Sequence, residues 1–563
     1  MYYIGISAYY HESSVALINN NKIICFLKEE WLTRIKGDNN FPKHSLNFLI
    51  KNYKLNNSNI KKICFYEKPF ASWWSLFNFS IKNPILNQEF LINHIKSFSN
   101  GSIFFKKHVK DTLKIDQKKI IFSSHHLSHA LYSSSFLRVK KEKIAVISVD
   151  GVGEGITSSI FDFKKNKINC LGTNKYPNSI GLFYSIITDF LGFNTNEDEY
   201  KIMSLSSYGR PIYYNKLLKV FDIRNFNLNE KYINFHKTVN KSFSKHLEKL
   251  IGPPFLNINN KKNFKKYSNI AASAQKILED SLNILIQKTK EITKKKKIVL
   301  CGGVALNCKA VTEVAKCHKD IEIFVPPSPG DSGSAIGAAI FAHYQDSKKL
   351  DFNYQSPFIG PKREKLINKQ DLSNFFKVLN NSKKNTLYEI YKLIANGEII
   401  ATFLDKSEIG PRALGNTSLI CNALDKKTVN ILNNVIKKRD KFQPLAPMIL
   451  EKNFNKFFIK QNNIYKNHEW MGSLCKFKKI YKKTYKSIAH IDGTVRVQTV
   501  KNGSIKNLLN FLDKKDIKIL INTSFNISKD PIVFDLIDVY VNMKRMNIKY
   551  LYCLNKIYII NQT

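Results

Sequence analysis

The chain has 563 residues, 43% of them hydrophobic, enough material for two or three domain-sized cores at roughly 100–200 residues each. Its formal charge of +45 comes from 80 Lys and only nine Arg spread along the whole length. That composition lacks the clustered guanidinium forks of a sequence-reading nucleic-acid binder and describes a solvated surface attractive to small anions.

No stretch reaches the ~18 uninterrupted apolar residues of a membrane span. The start Met1-Tyr2-Tyr3-Ile4-Gly5 has no basic leader before an apolar run. A cytoplasmic chain is therefore expected, with neither membrane nor nucleic acid as partner. Its nine cysteines, without a C-x-x-C pair, are read as reduced core thiols.

In chain order, Tyr2–Ser7, Ser14–Ile18 and Lys22–Lys28 read as a three-strand meander with polar turns. The pattern returns at Lys143–Val149, Thr157–Phe161 and Lys167–Leu171. Two such meanders, each followed by helical segments, predict an internal duplication with a ligand between the halves, the plan of the actin-like ATPase fold.

Apolar positions at Ile270, Ala274, Ile277, Leu278, Leu282 and Leu285 predict a helix over Ser268–Thr293. Lys294–Lys297 then reads as its solvated, dipole-complementing end. Strand Ile298–Leu300 leads into Gly302-Gly303 and a helix, and strand Ile321–Val325 leads to Asp331 and the small-residue helix Ser332–Ala342. Polar and Pro-containing segments at 346–385 predict a boundary. Beyond it, helix Leu387–Asn396 and strand Glu398–Leu404 open a separate α/β domain. The expected division is 1–355 and 380–563.

Four side chains stand out in the first part. His125 and His129, four apart on a helix with a serine cap, share a face and suit one divalent metal, with ordinary polar packing as the alternative that the spacing alone favours. No Glu occupies the zinc-peptidase position between them. Asp150 ends an apolar strand before Gly151-Val152-Gly153-Glu154-Gly155, where a carboxylate can hold a metal beside phosphates; a plain turn aspartate is the alternative. Asp331 is placed as the N-cap of its helix, and a cap can still offer an oxygen to a metal.

Gly302-Gly303 allows close backbone approach at a helix N-terminus. Glu199-Tyr200-Lys201 reads either as a ribose contact or as a surface charge pair. In the second part, Gly410-Pro411-Arg412-Ala413-Leu414-Gly415-Asn416, Lys437-Lys438-Arg439, the run ending at Arg496, and Asn522-Thr523-Ser524-Phe525-Asn526 hold three of the nine arginines. Such forks suit phosphate or carboxylate, or else structural salt bridges. The aromatic run Trp73-Trp74-Ser75-Leu76-Phe77 reads as packing, with stacking on a sugar ring as the alternative.

Taken together, these segments resemble the O-carbamoyltransferase family of nodulation and antibiotic biosynthesis. The resemblance begins at Gly5-Ile6-Ser7-Ala8-Tyr9-Tyr10-His11-Glu12-Ser13-Ser14. It continues through His125-His126-Leu127-Ser128-His129-Ala130, the Asp150 turn, Glu199-Tyr200-Lys201, Gly302-Gly303-Val304-Ala305-Leu306-Asn307 and Gly330-Asp331-Ser332-Gly333, and ends with the two C-terminal segments just quoted.

The resemblance implies an actin-like N-terminal domain and a YrdC-like C-terminal one. The second would form carbamoyl adenylate from carbamoyl phosphate and ATP, with Mg2+. The first would pass the carbamoyl group to a hydroxylated small molecule. It implies a divalent ion, Fe2+ foremost, on His125, His129, Asp150 and Asp331. It also implies a nucleotide cradle at Glu199, Lys201, Gly302, Gly303 and Asn307, with Arg439, Ser524 and Asn526 as further nucleotide contacts. His11 would face the carbamoyl group, and Arg412, Lys437 and Arg496 would contact carbamoyl phosphate and ATP.

Lys406, Thr417, Gln443 and Ser528 depart from the family's arginines, and Ser204, Ser206 and Ser207 from its Gly, Ala and Pro. A tRNA-modifying threonylcarbamoyl-type transferase and a non-catalytic nucleotide-binding homologue are the alternatives. The acceptor pocket is expected within 65–120 and 210–265, and a homodimer is left open.

Overall fold

The computed structural model describes residues 1–81, 92, 101–137, 143–164, 166–235, 241–255, 257–352, 356–380 and 383–561. Parts of the two expected acceptor segments (82–91, 93–100, 236–240 and 256) lie outside the described residues. The chain forms two compact units: Met1–Ile24 with Asn39–Gln355, and Cys25–Asp38 with Ser356–Thr563.

The first unit is built on two five-stranded sheets. In one, β1 (Tyr2–Ser7) pairs antiparallel with β2 (Ser14–Asn19), which pairs with β3 (Lys22–Lys28). On its other side β1 runs parallel to β4 (Ile60–Phe65), and β4 to β5 (Ile120–Phe122). The other sheet repeats the order. There β6 (Ile144–Gly153) pairs antiparallel with β7 (Ile156–Lys164), β7 with β8 (Lys167–Lys175), and β6 runs parallel to the strand Lys297–Cys301, followed by Glu322–Phe324. The duplication expected from the two meanders is present in the hydrogen-bonded strand order itself.

Residues of β1 and β6 are buried on both faces, as strands covered by helices on either side should be. One cover is the helix Asp331–Ser347, whose small residues let it press close to its neighbours. At Gly337 an added Cβ would sit 1.7 Å from the Ser128 carbonyl oxygen in the helix His125–Ser134. Only a glycine admits that approach.

The long helix begins at Lys261 rather than Ser268, capped by Asn260, whose side chain accepts from the Lys262 and Asn263 N–H groups. Its first two turns are mostly polar, so the apolar period starts late. The Lys294–Lys297 run is not simply solvated. Lys295 is buried against Asp162 at 3.1 Å, and Lys297 pairs with Glu322 at 2.9 Å.

The second unit holds an eight-stranded mixed sheet. Its order is Phe376–Asn380, Lys556–Ile560, Tyr550–Cys553, Ile400–Phe403, Thr417–Asn422, Ile519–Ser524, Ala446–Leu450 and Gln498–Val500. Alternation along the strands feeds two cores. Ala401, Phe403, Leu419, Ile449, Ile519, Ile521 and Leu551 enter one, and Ile400, Ile420, Met448, Leu450 and Leu520 the other.

Cys25–Asp38 belongs to this unit, a departure from the continuous 1–355 domain. Trp31 stacks on Phe534 with centroids 5.9 Å apart, and Arg34 donates to the carbonyls of Pro531 and Ile532 at 2.9 Å. Arg34 also pairs with Asp538 at 3.1 Å. All nine cysteines are free thiols, and only Cys170 and Cys317 are exposed. Among the described residues no helix is long and apolar enough to cross a membrane.

Candidate functional site

His125 and His129 lie on the first two turns of their helix, directly after β5. The expected serine cap is not made. Ser124 occupies the N-cap position without a side-chain bond, and a Glu154 carboxylate oxygen accepts the His125 N–H at 3.2 Å and the Lys68 N–H at 2.7 Å instead. Asp331 is likewise not a cap. Gly330 takes that position, and Asp331 is the first helical residue, where the helix dipole favours its negative charge.

Asp150 lies within β6 at its last buried turn. The following chain is held by Ser179, whose hydroxyl donates to the Asp150 carbonyl at 3.0 Å. Gly302, at φ 86°, follows the strand Lys297–Cys301, where an added Cβ would sit 2.1 Å from the Val149 carbonyl oxygen. That closeness places Gly303 beside the Asp150 carboxylate.

The four expected ligands converge. His129 Nε2 lies 3.1 Å from Asp150 Oδ2 and 3.2 Å from Asp331 Oδ1. His125 Nε2 lies 3.7 and 3.6 Å from the same oxygens and 3.2 Å from His129 Nε2. All four residues are buried, and their ligand atoms fall within 4.8 Å of one another.

Burial alone would raise the Asp150 pKa and lower both imidazoles. The mutual contacts outweigh it: His125 and His129 hold Asp150 well below the carboxylate range. Asp150 raises both histidines, helped by Glu67 at His125 and by Asp331 at His129.

Despite the short distances, Asp150 Oδ2 has no aligned hydrogen-bond donor, and neither has Asp331 Oδ2, the second oxygen of the carboxylate whose Oδ1 faces His129. Two imidazole nitrogens and two carboxylates converging in a buried site, with no thiolate, fit a divalent cation. His126 is not part of this set. Its Nδ1 bonds the Ser159 hydroxyl at 2.8 Å, and burial with the two neighbouring imidazoles pushes its pKa well down.

The other expected residues of the first unit take more varied places. His11 is half-buried in the β1–β2 turn with its ring 4.2 Å from Tyr10. Tyr10 is 43% exposed, and its phenol pKa is raised by burial and by the charges of Asp331, Asp150, Glu67 and Glu199. Glu199 accepts from the Ser185 hydroxyl at 2.8 Å and the Asn196 N–H at 2.7 Å. Lys201 pairs with Asp198 at 3.1 Å. The Asn307 side chain caps the helix Cys308–Cys317 and forms a two-bond amide pair with Gln275 at 2.9 and 3.1 Å.

In the second unit, Lys437 Nζ is buried among four oxygens: the Ser524 carbonyl (3.0 Å) and hydroxyl (3.2 Å), and the Asn526 carbonyl (2.7 Å) and side-chain oxygen (2.9 Å). Arg439 donates to Thr523 at 2.9 Å, beside the same strand end. Burial, Arg439 and Lys36 push the Lys437 pKa well down, so an anion arriving there would be welcome.

Arg412 is half-buried in a turn organised by Glu408, one carboxylate oxygen of which accepts the N–H groups of Leu414, Asn416 and Thr417 at 2.9–3.0 Å. Arg496 follows the short strand Thr494–Val495 and is also half-buried. Gln443 is buried and donates to Asp440 at 3.0 Å, and Ser528 is exposed. Thr417 is fully buried; its hydroxyl donates to Glu408 at 2.7 Å and receives Arg363 at 2.5 Å. A guanidinium thus reaches this position from elsewhere in the chain.

Sequence reasoning missed Glu67, Glu154 and Lys36. Glu67 follows the buried strand β4 much as Asp150 closes a buried stretch of β6, and that parallel was the available signal.

The model of the carbamoyltransferase N-terminus matches residues 2–340, and that of the carbamoyltransferase C-terminus matches 391–560. The chain belongs to the carbamoyltransferase family. Nodulation protein NolNO of Sinorhizobium fredii is 26% identical over 94% of this chain and 76% of its own length. The 3'-hydroxymethylcephem-O-carbamoyltransferase of Streptomyces clavuligerus is 28% identical over 43% of this chain and 45% of its own. The protein sll1178 of Synechocystis is 28% identical over 97% of this chain and 95% of its own. Family membership agrees with the expected transferase class.

Proposed function

We propose that the protein is an ATP-dependent O-carbamoyltransferase acting on a hydroxylated small molecule. The observation that supports this most is the buried convergence of His125, His129, Asp150 and Asp331 beside Gly302-Gly303 in a chain of this family.

In this reading the second unit is the YrdC-like adenylate-forming part. Carbamoyl phosphate, ATP and one water give carbamoyl adenylate, phosphate and pyrophosphate. Lys437, Arg439, Arg412 and Arg496 bring the two polyanions together and stabilise the charge developing on the transferring groups. Ser524 and Asn526 hold Lys437 in place.

In the first unit the acceptor hydroxyl oxygen attacks the carbamoyl carbon, its proton passes to solvent, and AMP leaves with the electrons of the broken carbon–oxygen bond. A divalent ion on the four ligands would neutralise the phosphate of that leaving group. Glu199, Lys201, Asn307 and the Gly302-Gly303 turn orient the nucleotide, and His11 faces the carbamoyl group. The positioning of acceptor against adenylate supplies much of the rate. The helix Pro69–Ile81 supports a ring-shaped acceptor. Its Trp74 is 47% exposed and Phe70 63%, stacked 6.1 Å apart, and the helix starts two residues beyond Glu67.

The test is direct. With ATP, carbamoyl phosphate and Fe2+, the protein releases pyrophosphate and forms carbamoyl adenylate. Combining His125→Ala with His129→Ala abolishes transfer to an added sugar or nucleoside while sparing adenylate formation. No pyrophosphate from the unaltered protein overturns the activity, and transfer by the double variant overturns the assignment of the metal site.

A further inference from the structure

The imidazole of His125 is shared between two environments. Its Nε2 faces His129, Asp150 and Asp331 at 3.2–3.7 Å. Its Nδ1, on the other edge of the ring, lies 3.7 Å from Glu67 Oε2, with the two side chains only 2% and 12% exposed. A neutral imidazole that ligates through Nε2 carries its proton on Nδ1, and that proton then points at the Glu67 carboxylate. The separation exceeds hydrogen-bond range by a few tenths of an ångström, within reach of a small turn of a flexible Glu side chain.

The backbone around this pair is bracketed. One oxygen of Glu154 accepts both the His125 N–H and the N–H of Lys68, the residue after Glu67. The Tyr66 N–H donates to the Ile6 carbonyl at 3.0 Å, and the Tyr66 ring packs 5.1 Å from that of His125. Neither His125 Nδ1 nor His129 Nδ1 makes a hydrogen bond in this geometry, and that of His125 has the Glu67 carboxylate at 3.7 Å.

We propose that Glu67 is a positioning residue for the metal site: its carboxylate accepts a hydrogen bond from the Nδ1–H of His125, fixes the ring's tautomer and orientation, and raises the basicity of Nε2. Glu67 is not itself a ligand, since its carboxylate lies across the imidazole from the converging set. The proposal rests on the metal reading above, and the experiment separates the two. Carboxylate partners of this kind are worth roughly 10–100-fold in metal affinity.

Co2+ binding to the full-length protein, followed by equilibrium dialysis and by the visible absorption of the bound ion, tests it without any turnover. Glu67→Ala is expected to weaken Co2+ binding by about 10–100-fold and to shift the absorption band. Glu67→Gln, which keeps an acceptor for the Nδ1 proton but not its charge, is expected to lose less. It also serves if the alanine variant fails to fold. Asp331→Asn is the control for the ligand set. If Asp331→Asn weakens binding while both Glu67 variants keep the original affinity and spectrum, the role of Glu67 is overturned and the metal site stands. If the unaltered protein binds no Co2+, both are overturned.

Discussion

His468 is buried between Phe454 and Tyr465, whose ring centroids lie 5.1 and 6.1 Å away, and burial pushes its pKa down to about 3. The unfolded chain takes up a proton at this residue as pH falls through about 6.5, while the folded chain does not until about 3. The stabilisation is therefore whole above pH 6.5 and is lost as pH falls. Between pH 7.5 and 5.0 the loss is about 2 kcal/mol. Urea unfolding at the two pH values measures it, and His468→Leu is expected to lose about 2 kcal/mol less over the same interval. Equal losses would mean that the imidazole is protonated inside the fold.

Residue-level reading succeeded where side chains had to converge and failed where a partner came from afar. The spacing of His125 and His129 and the run before Asp150 single these residues out with polar packing and a turn aspartate as alternatives, and the structure brings the three together, with Asp150 inside β6 rather than at its end. Lys295 was read as solvent-facing, but Asp162 meets it from β7, and no local pattern encodes that pairing.

At the scale of elements, the helix Asp331–Ser347 approaches the helix His125–Ser134 so closely at Gly337 that an added Cβ would sit 1.7 Å from the Ser128 carbonyl oxygen. Gly337→Ala forces them apart, because the new methyl would fall on backbone rather than on a yielding side chain. The expected cost is about 1–3 kcal/mol, seen as a lower Tm. A second effect follows: Asp331 lies at the head of one helix and His129 next to Ser128 on the other, so Co2+ affinity falls as well. Gly172→Ala, which meets nothing within 4 Å, is the neutral control. Unchanged Co2+ binding in the Gly337 variant would show that the close approach does not set the site.

Strands were legible as elements because short apolar runs bounded by polar turns mark them, and both meanders start within a residue of where expected. Helix ends were less so. The long helix opens on Lys261–Tyr267, a mostly polar stretch with little apolar period to detect, and its Asn260 cap is the only local sign. The cap at His125 was assigned to serine because that residue type does the work locally in most helices. Here Glu154, from the turn after β6, does it across the fold.

Across the whole molecule, the duplicated sheets were readable because the same strand–turn pattern occurs twice. The grouping of Cys25–Asp38 with the second unit was not, since it depends on Trp31 meeting Phe534 some five hundred residues away. A partner outside the local segment also explains Thr417: compared position by position it has lost a family arginine, yet Arg363, 54 residues earlier, delivers a guanidinium there.

The burial of the thiols has a practical corollary. A thiol shielded from solvent cannot present its thiolate to an electrophile. Iodoacetamide added to the native protein should therefore alkylate two cysteines, and all nine after unfolding, as intact-mass spectrometry will count. Both reactive positions, Cys170 on β8 and Cys317 at the end of the helix Cys308–Cys317, belong to the first unit. A maleimide dye would consequently mark that unit alone. The protein comes with a built-in optical tag on the half that carries the histidine–aspartate cluster, and none on the half that carries Lys437.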